Sequence, residues 1–164
     1  MSGTGKSTIL RELATRGYRV VDTDCGDWHE WAIVAGEWDR ILREDRIREL
    51  LAAEDTDVLF VSGTVSNQRR FYPQFDHIVL LSAPVSVIVE RLAARTNNPY
   101  GKRPQELARI LGHVRSVEPQ LRHMATLEVD ASAQIAHVVE TILQHVGLIV
   151  DRPERAPLKR FCDS

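Results

Sequence analysis

Apolar residues recur along the chain with two different periods, and the alternation between them lays out the elements. Ile9, Leu10, Leu13 and Ala14 keep helical spacing up to Gly17, which predicts an amphipathic helix closed by a glycine cap. The run "YRVVDTD" (18–24) is β-branched and short, and predicts a strand whose alternation sets Asp22 and Asp24 on one side of its C-terminal tip. Residues 38–54 interleave Ile41, Leu42, Ile47, Leu50 and Leu51 with charges and predict a second amphipathic helix with one solvated face. Trp28, Trp31 and Trp38 stand close to one helical face in this reading, a stripe that predicts core packing. "DVLFVSG" (57–63) and "HIVLLSAP" (77–84) are continuous apolar runs between turn residues, the pattern of parallel strands covered on both faces.

Beyond residue 84 the helical period returns, with Val85, Ile88, Val89 and Leu92 on one stripe and Arg91 and Arg95 on the other side. "TNNPYGKRPQE" (96–106) is a loop rich in Gly, Pro and Asn, after which Leu107, Ile110, Leu111 and Val114 predict another helix. "TLEVD" (126–130) predicts a last strand, and Ser132 is placed to cap a final helix carrying Ile135, Val138, Val139, Ile142 and Val146 up to Gly147. The tail from Asp151 has little to bury and is expected to be mobile. Strands alternating with helices predict an α/β domain over residues 1–150, a parallel sheet with helices on both faces joined by right-handed crossovers.

At 164 residues the chain suits one domain, and a formal charge of -2 supplies no basic field for nucleic acid. Cys25 and Cys162 are far apart, Cys25 reads as a small buried hydrophobe, and no His/Cys cluster has zinc spacing. No apolar run approaches the roughly 18 residues of a membrane span, and no secretory signal precedes the first helix, so a cytoplasmic location is expected.

The chemistry concentrates in "SGTGKST", Ser2 to Thr8. Such a loop passes phosphate oxygens from one backbone N–H to the next, and Ser2, Gly3, Thr4, Gly5, Lys6, Ser7 and Thr8 are assigned to nucleotide binding. Gly3 and Gly5 let the backbone approach phosphate, Lys6 reaches the β and γ phosphates, and the Ser7 hydroxyl is a ligand for Mg²⁺. In the full G-x-x-x-x-G-K-[ST] pattern a buried strand leads into the loop, and the first glycine falls one position ahead of Met1. Met1 is therefore expected to be internal to a longer product. A chain starting there is expected to fold with a gap between the 57–63 and 77–82 strands.

No N-K-x-D tetrad reads a guanine base, which favours ATP, and "DVLFVSG" ends in Ser62 and Gly63 where a motor ATPase would carry acids. The acids lie instead at Asp22 and Asp24, which a doubly wound sheet brings beside the phosphates. On "SGTGKST", "VVDTD" and the arginine-bearing region that follows "LLSAP", the chain resembles the small P-loop kinases, a group that includes shikimate, gluconate and nucleoside monophosphate kinases. It resembles equally the AAA-type ATP-binding proteins of unassigned substrate. The resemblance covers the order of elements from residue 2 to about 146. It implies that Asp22 serves Mg²⁺ through water, that Asp24 binds or deprotonates the acceptor, and that a lid over about 95–104 closes on the transferred group. The chain departs from shikimate kinases in having Gly63 alone after the 57–63 strand and in its lid sequence "RTNNPYGKRP".

Arg95, Lys102 and Arg103 are the lid cations, and Arg95 is preferred for catalysis because it ends the helix after "LLSAP". Arg69 and Arg70 stand where an anionic acceptor could be held, and His29 follows the acids closely. The expected function is ATP-dependent phosphoryl transfer, with Mg²⁺, to a small-molecule or nucleotide acceptor. An ATP-binding regulatory module and a slow ATPase are the alternatives.

Overall fold

The computed structural model describes residues 2–53, 58–96 and 98–148, so the predicted tail and Cys162 lie outside the described residues. The first helix, α1 (Lys6–Thr15), runs into strand β1 (Arg19–Asp22), and a hairpin of β2 (His29–Val34) and β3 (Glu37–Leu42) leads to α2 (Glu44–Ala52). Strand β4 (Leu59–Ser62) is followed by two short 3-10 turns, Gln68–Arg70 and Tyr72–Gln74, and by β5 (Val79–Ser82). Helices α3 (Val85–Ala94), α4 (Pro104–Ser116) and α5 (Glu118–Met124) precede β6 (Leu127–Asp130) and α6 (Ile135–His145).

Strand β1 pairs in parallel with β4, from Arg19 opposite Leu59 to Asp22 opposite Ser62. Strand β5 pairs in parallel with β6, from Val79 opposite Leu127 to Ser82 opposite Asp130. The domain is thus α/β with parallel strands, but the single sheet expected from sequence is divided. Among the described residues no ladder joins β4 to β5, and the predicted gap between the 57–63 and 77–82 strands is present.

One core unites the two parallel pairs. Ile9, Leu10 and Leu13 of α1 meet Val138, Val139, Ile142 and Leu143 of α6, and Val20, Phe60, Leu81 and Leu127 of the strands pack against them. Each such side chain taken fully out of water stabilises the fold by about 1.5–3 kcal/mol. Leu13→Ala, at a position only 2% exposed, removes that and leaves a cavity, a loss of about 2–5 kcal/mol. A second cluster joins Leu42, Ile47 and Phe71, and a third joins Ile88 and Leu92 of α3 to Ile110 of α4. The third cluster carries the segment over the phosphate loop.

The helix expected over 38–54 is in part a strand. Ala35 and Gly36 both take left-handed backbone, φ 51° and 88°, which is the two-residue turn whose twist matches a hairpin. The aromatic and β-branched run "HEWAIV" then pairs antiparallel with Glu37–Leu42, so helix begins only at Glu44. The tryptophan stripe is corrected with it. Trp31 faces Arg40 and Ile33 faces Trp38 across the ladder, and Trp31 and Trp38 are 68% and 69% exposed on one hairpin face. Only Trp28 packs inward, against the Leu42 cluster.

Three smaller corrections are local. Ser132 does not cap α6: Gln134 holds the N-cap position without a side-chain bond, and the Ser132 N–H donates to Asp130 Oδ1 at 2.8 Å. Val85 and Ile135 begin their helices half exposed, because first-turn positions overhang the core edge. Cys25 is exposed, being carried on the turn after β1.

Candidate functional site

The site is built where α1 starts. Gly3 and Gly5 stand at φ 84° and 88°, a region that L side chains enter only with strain, so the loop's curl depends on both. Gly3 also has no room for a side chain, since a Cβ there would lie 2.9 Å from Ile88 Cγ2 of α3. Thr4 between them is fully buried. Gly5 is the N-cap of α1, and its carbonyl accepts from the N–H groups of Thr8 and Ile9 at 3.0 and 3.1 Å. The first-turn N–H groups have no acceptor within the helix, and together with the axial dipole they favour an anion at this end.

The ends of β1 and β4 meet beside this loop. The Ser7 hydroxyl donates to Asp22 Oδ2 at 2.7 Å, which ties α1 to the tip of β1. Strand β1 stops at Asp22, and Asp22 Oδ1 accepts the Asp24 N–H at 3.1 Å, so a turn brings the second acid round. The expectation that strand alternation aligns the two acids is replaced by this side-chain-closed turn. Lys6 Nζ and Asp24 Oδ2 form an ion pair at 3.8 Å, with the Asp24 side chain half exposed and that of Lys6 18% exposed. Between the acids, buried Thr23 donates through its N–H and its hydroxyl to Ser62 O at 2.8 and 2.9 Å, clamping β1 to β4. Gly63 is required there, because a Cβ would fall 2.2 Å from Thr23 Oγ1. Lys6 and Asp24 line a cavity of about 150 Å³ together with Thr64, Tyr100 and His113.

The arginines sort themselves by reach. Arg91 Nη2 donates to Ala131 O at 2.6 Å, and its Nη1 lies 3.6 Å from the point a Cβ on Gly5 would occupy. That Nη1 is buried and has no hydrogen-bond partner. Asp130 is held below the ordinary carboxylate range, first by the Ser132 hydroxyl and backbone and in smaller part by the Arg91 charge. Arg95, preferred from sequence, is engaged elsewhere: its Nη2 donates to Tyr100 O, which ties the end of α3 to the loop at Tyr100, while its Nε is buried and unpartnered. Gly101 at φ 96° presses that loop onto Leu92 and Ile110. Lys102 and Arg103 are exposed ahead of α4, whose Glu106 carboxylate accepts the Gly101 N–H at 2.8 Å. Arg69 and Arg70 bond Gln120 and Glu44 on the surface and do not line the cavity beside Lys6. His29 is half-buried near Asp24, and its pKa is lowered chiefly by desolvation and then by Arg40, against a raising influence of Asp24.

Sequence reasoning did not single out Thr23, Tyr100, His113 or the reach of Arg91 to the loop. For Arg91 the available signal was its spacing of four from Arg95 on the same helix face, but the sequence reading preferred Arg95 because it ends the helix.

The residues fit a bound polyphosphate and its cation on three counts. Two glycines leave a cradle that any Cβ would strain, a buried guanidinium nitrogen next to it lacks an acceptor, and a hydroxyl and a carboxylate lie 2.7 Å apart. Hard oxygen donors of the last kind suit Mg²⁺. Among the described residues no helix is long and apolar enough to cross a membrane. No curated protein matches the chain. The family described as AAA domain matches residues 1–112, which takes in the phosphate loop, both acids and α3 with Arg91 and its C-cap Arg95. On that match over more than half its length, the chain belongs to the AAA domain family and carries its nucleotide-binding P-loop.

Proposed function

We propose that the protein is a phosphotransferase that moves the γ-phosphoryl group of Mg²⁺-ATP to a hydroxyl or phosphate of a small-molecule or nucleotide acceptor. The observation that carries this reading is the Lys6–Asp24 pair, in which a phosphate-loop cation and a carboxylate face the same cavity of about 150 Å³. A bare nucleotide-binding module needs no carboxylate there. Acceptor chemistry does, because the attacking oxygen must be aligned and its proton taken.

In this scheme the loop N–H groups and Lys6 would hold the β and γ phosphates, and Ser7 and Asp22 would hold the cation, which would supply positive charge against the phosphate oxygens. Asp24 leaves Lys6 for the acceptor and accepts its proton as the bond to the γ-phosphorus forms and the β–γ bridging bond breaks. Arg91 offers its unpartnered nitrogen to the equatorial oxygens, and Arg95 holds Tyr100 through its backbone carbonyl. Tyr100 and His113 close the far side of the cavity and exclude water.

A slow ATPase is the second reading, and the Ser62–Gly63 end of β4, which carries no acid, speaks against it. ADP release measured against nucleosides, nucleotides and polyols separates the possibilities. Turnover that rises with one acceptor class supports transfer. Equal ADP with and without every acceptor favours hydrolysis, and ATP binding with no turnover favours a regulatory module.

A further inference from the structure

The β2–β3 hairpin is fixed at its root and bare on one face. Asn67 holds Leu42 by both backbone groups, its Nδ2 donating to Leu42 O and its Oδ1 accepting the Leu42 N–H, each at 2.9 Å. The Arg43 N–H donates to Trp28 O at 2.9 Å, and Arg43 and Arg46 both bind Asp27 just ahead of β2. Strand alternation and the ladder register put His29, Trp31 and Ile33 on one face with Trp38, Arg40 and Leu42. Leu42 is buried in its cluster and His29 is half-buried, whereas Trp31, Ile33, Trp38 and Arg40 stand exposed.

The exposed groups form one surface. Ile33 lies directly opposite Trp38 and Arg40 directly opposite Trp31, and the diagonal from Trp31 to Trp38 is about 7–8 Å, within reach of two indoles. A contiguous patch of this kind marks a binding face, where single exposed apolar residues would not. On the opposite face Ala32, Asp39 and Ile41 are half-buried, so the tryptophan side is the barer of the two.

That side begins at the candidate site. The His29 imidazole senses the Asp24 carboxylate and the Arg40 guanidinium together, which makes the three neighbours. Its Nδ1 is buried without a hydrogen-bond partner, a group that a polar ligand would satisfy. From the level of His29, Trp31 and Arg40 stand about 7 Å further along the hairpin, and Trp38 about 7 Å beyond them. Arg40 adds a planar cation that stacks on aromatic rings and pairs with anions. The acids Glu30, Glu37 and Asp39 all lie on the other face. They oppose a polyanion such as a nucleic-acid strand and leave room for one anionic group.

We infer that this face holds the acceptor: a planar aromatic ring stacks on Trp31 and Trp38, an anionic group of the same molecule meets Arg40, and its reacting oxygen lies at Asp24. A short hydroxy acid brings no surface to the two indoles. The fixed root presents the rings already oriented, so little ordering opposes binding. Taking Asp24 as the acceptor's acid rests on the phosphotransferase reading.

Calorimetry on the full chain with adenosine monophosphate, adenosine and ribose 5-phosphate separates ring from anion. Adenosine monophosphate represents the class because stacking tolerates any base. It is expected to bind at least about tenfold more tightly than ribose 5-phosphate, and Trp31→Ala combined with Trp38→Ala is expected to abolish that advantage. Arg40→Gln is expected to weaken the monophosphate and spare adenosine, while Trp31→Phe with Trp38→Phe restores much of the affinity lost to alanine. Melting temperatures report that each variant is folded, and the phenylalanine pair and Arg40→Gln carry the test if the alanine pair is not. Equal affinity for the monophosphate in the native and alanine-pair chains overturns the inference. Transfer to a polyol with kinetics unmoved by the tryptophan changes overturns it as well, and leaves the phosphotransferase reading standing. Tryptophan-dependent binding with no transfer to any acceptor leaves the ring site standing and removes that reading. A dimer in sedimentation that the alanine pair dissolves gives the face to a second copy of the chain, which also overturns the inference.

Discussion

The Ser7 hydroxyl and the Asp22 carboxylate are 2.7 Å apart, although 15 positions separate them in the chain. This bond sets the first turn of α1 against the tip of β1 before any ligand arrives. Replacing Asp22 by Asn weakens the hydrogen bond and removes one hard anionic donor. The expected outcome is a loss of the Mg²⁺-dependent part of ATP affinity, read by calorimetry with and without the cation. Asp24→Asn is expected to leave Mg²⁺-ATP affinity nearly intact and to reduce transfer to the acceptor. Equal losses of ATP affinity in both variants would refute the division of roles.

Lys6→Ala is expected to lower phosphoryl transfer by orders of magnitude while the fold persists. The ion pair it breaks spans 3.8 Å with its Asp24 side half exposed to water, and contributes less than about 1 kcal/mol. An unchanged melting temperature with abolished transfer is the expected pair of readings.

Arg91→Met keeps much of the side-chain volume and removes the guanidinium beside Gly5. If that group meets the transferring phosphoryl, kcat falls about 10²–10³-fold with little change in KM, as when a preorganised donor is lost. Arg95→Met instead frees Tyr100 by removing the bond to its carbonyl, and is expected to change kcat and KM together. Steady-state kinetics on the two variants distinguishes a group on the phosphoryl from one that holds the lid.

Gly63→Ala places a Cβ within 2.2 Å of Thr23 Oγ1. Strand β4 must then retreat from β1, at a cost of about 1–3 kcal/mol. Adding Thr23→Ala removes the obstructing hydroxyl along with its bond to Ser62 O, and part of the loss is expected to return. A double-mutant cycle by chemical denaturation reads the coupling.

His29 titrates with a lowered pKa in the folded protein, so the native state binds fewer protons than the unfolded chain across the imidazole range. Its contribution to stability is whole above that range and is lost as pH falls through the ordinary imidazole value. Melting temperatures taken from neutral to mildly acidic pH are expected to drop more steeply for the native chain than for His29→Gln.

The phosphate loop, α1, β1, β4, β5, α3 and β6 were legible in the sequence because each rests on a local signal: a motif, an apolar run between turn residues, or a single helical stripe. The hairpin was not legible. Its deciding feature is a left-handed Ala35, and alanine gives no sign of that conformation, so the indole spacing read as a helical stripe. At the site, the loop and the two acids could be named from their order, whereas the closed turn between Asp22 and Asp24 depends on one side chain folding back on its own backbone. The reach of Arg91 over Arg95 depends on how α3 packs on Gly3, a contact between residues 85 positions apart, Gly3 with Ile88. No short-range pattern encodes it.

The hairpin has an optical consequence. With Trp31 and Trp38 standing in water on one face and Trp28 half-buried at its base, most of the protein's ultraviolet emission comes from two solvated indoles. Their fluorescence is expected to be red-shifted and open to iodide quenching, leaving Trp28 as the protected minority. Anything that covers the hairpin then reports itself as a blue shift, with no added dye.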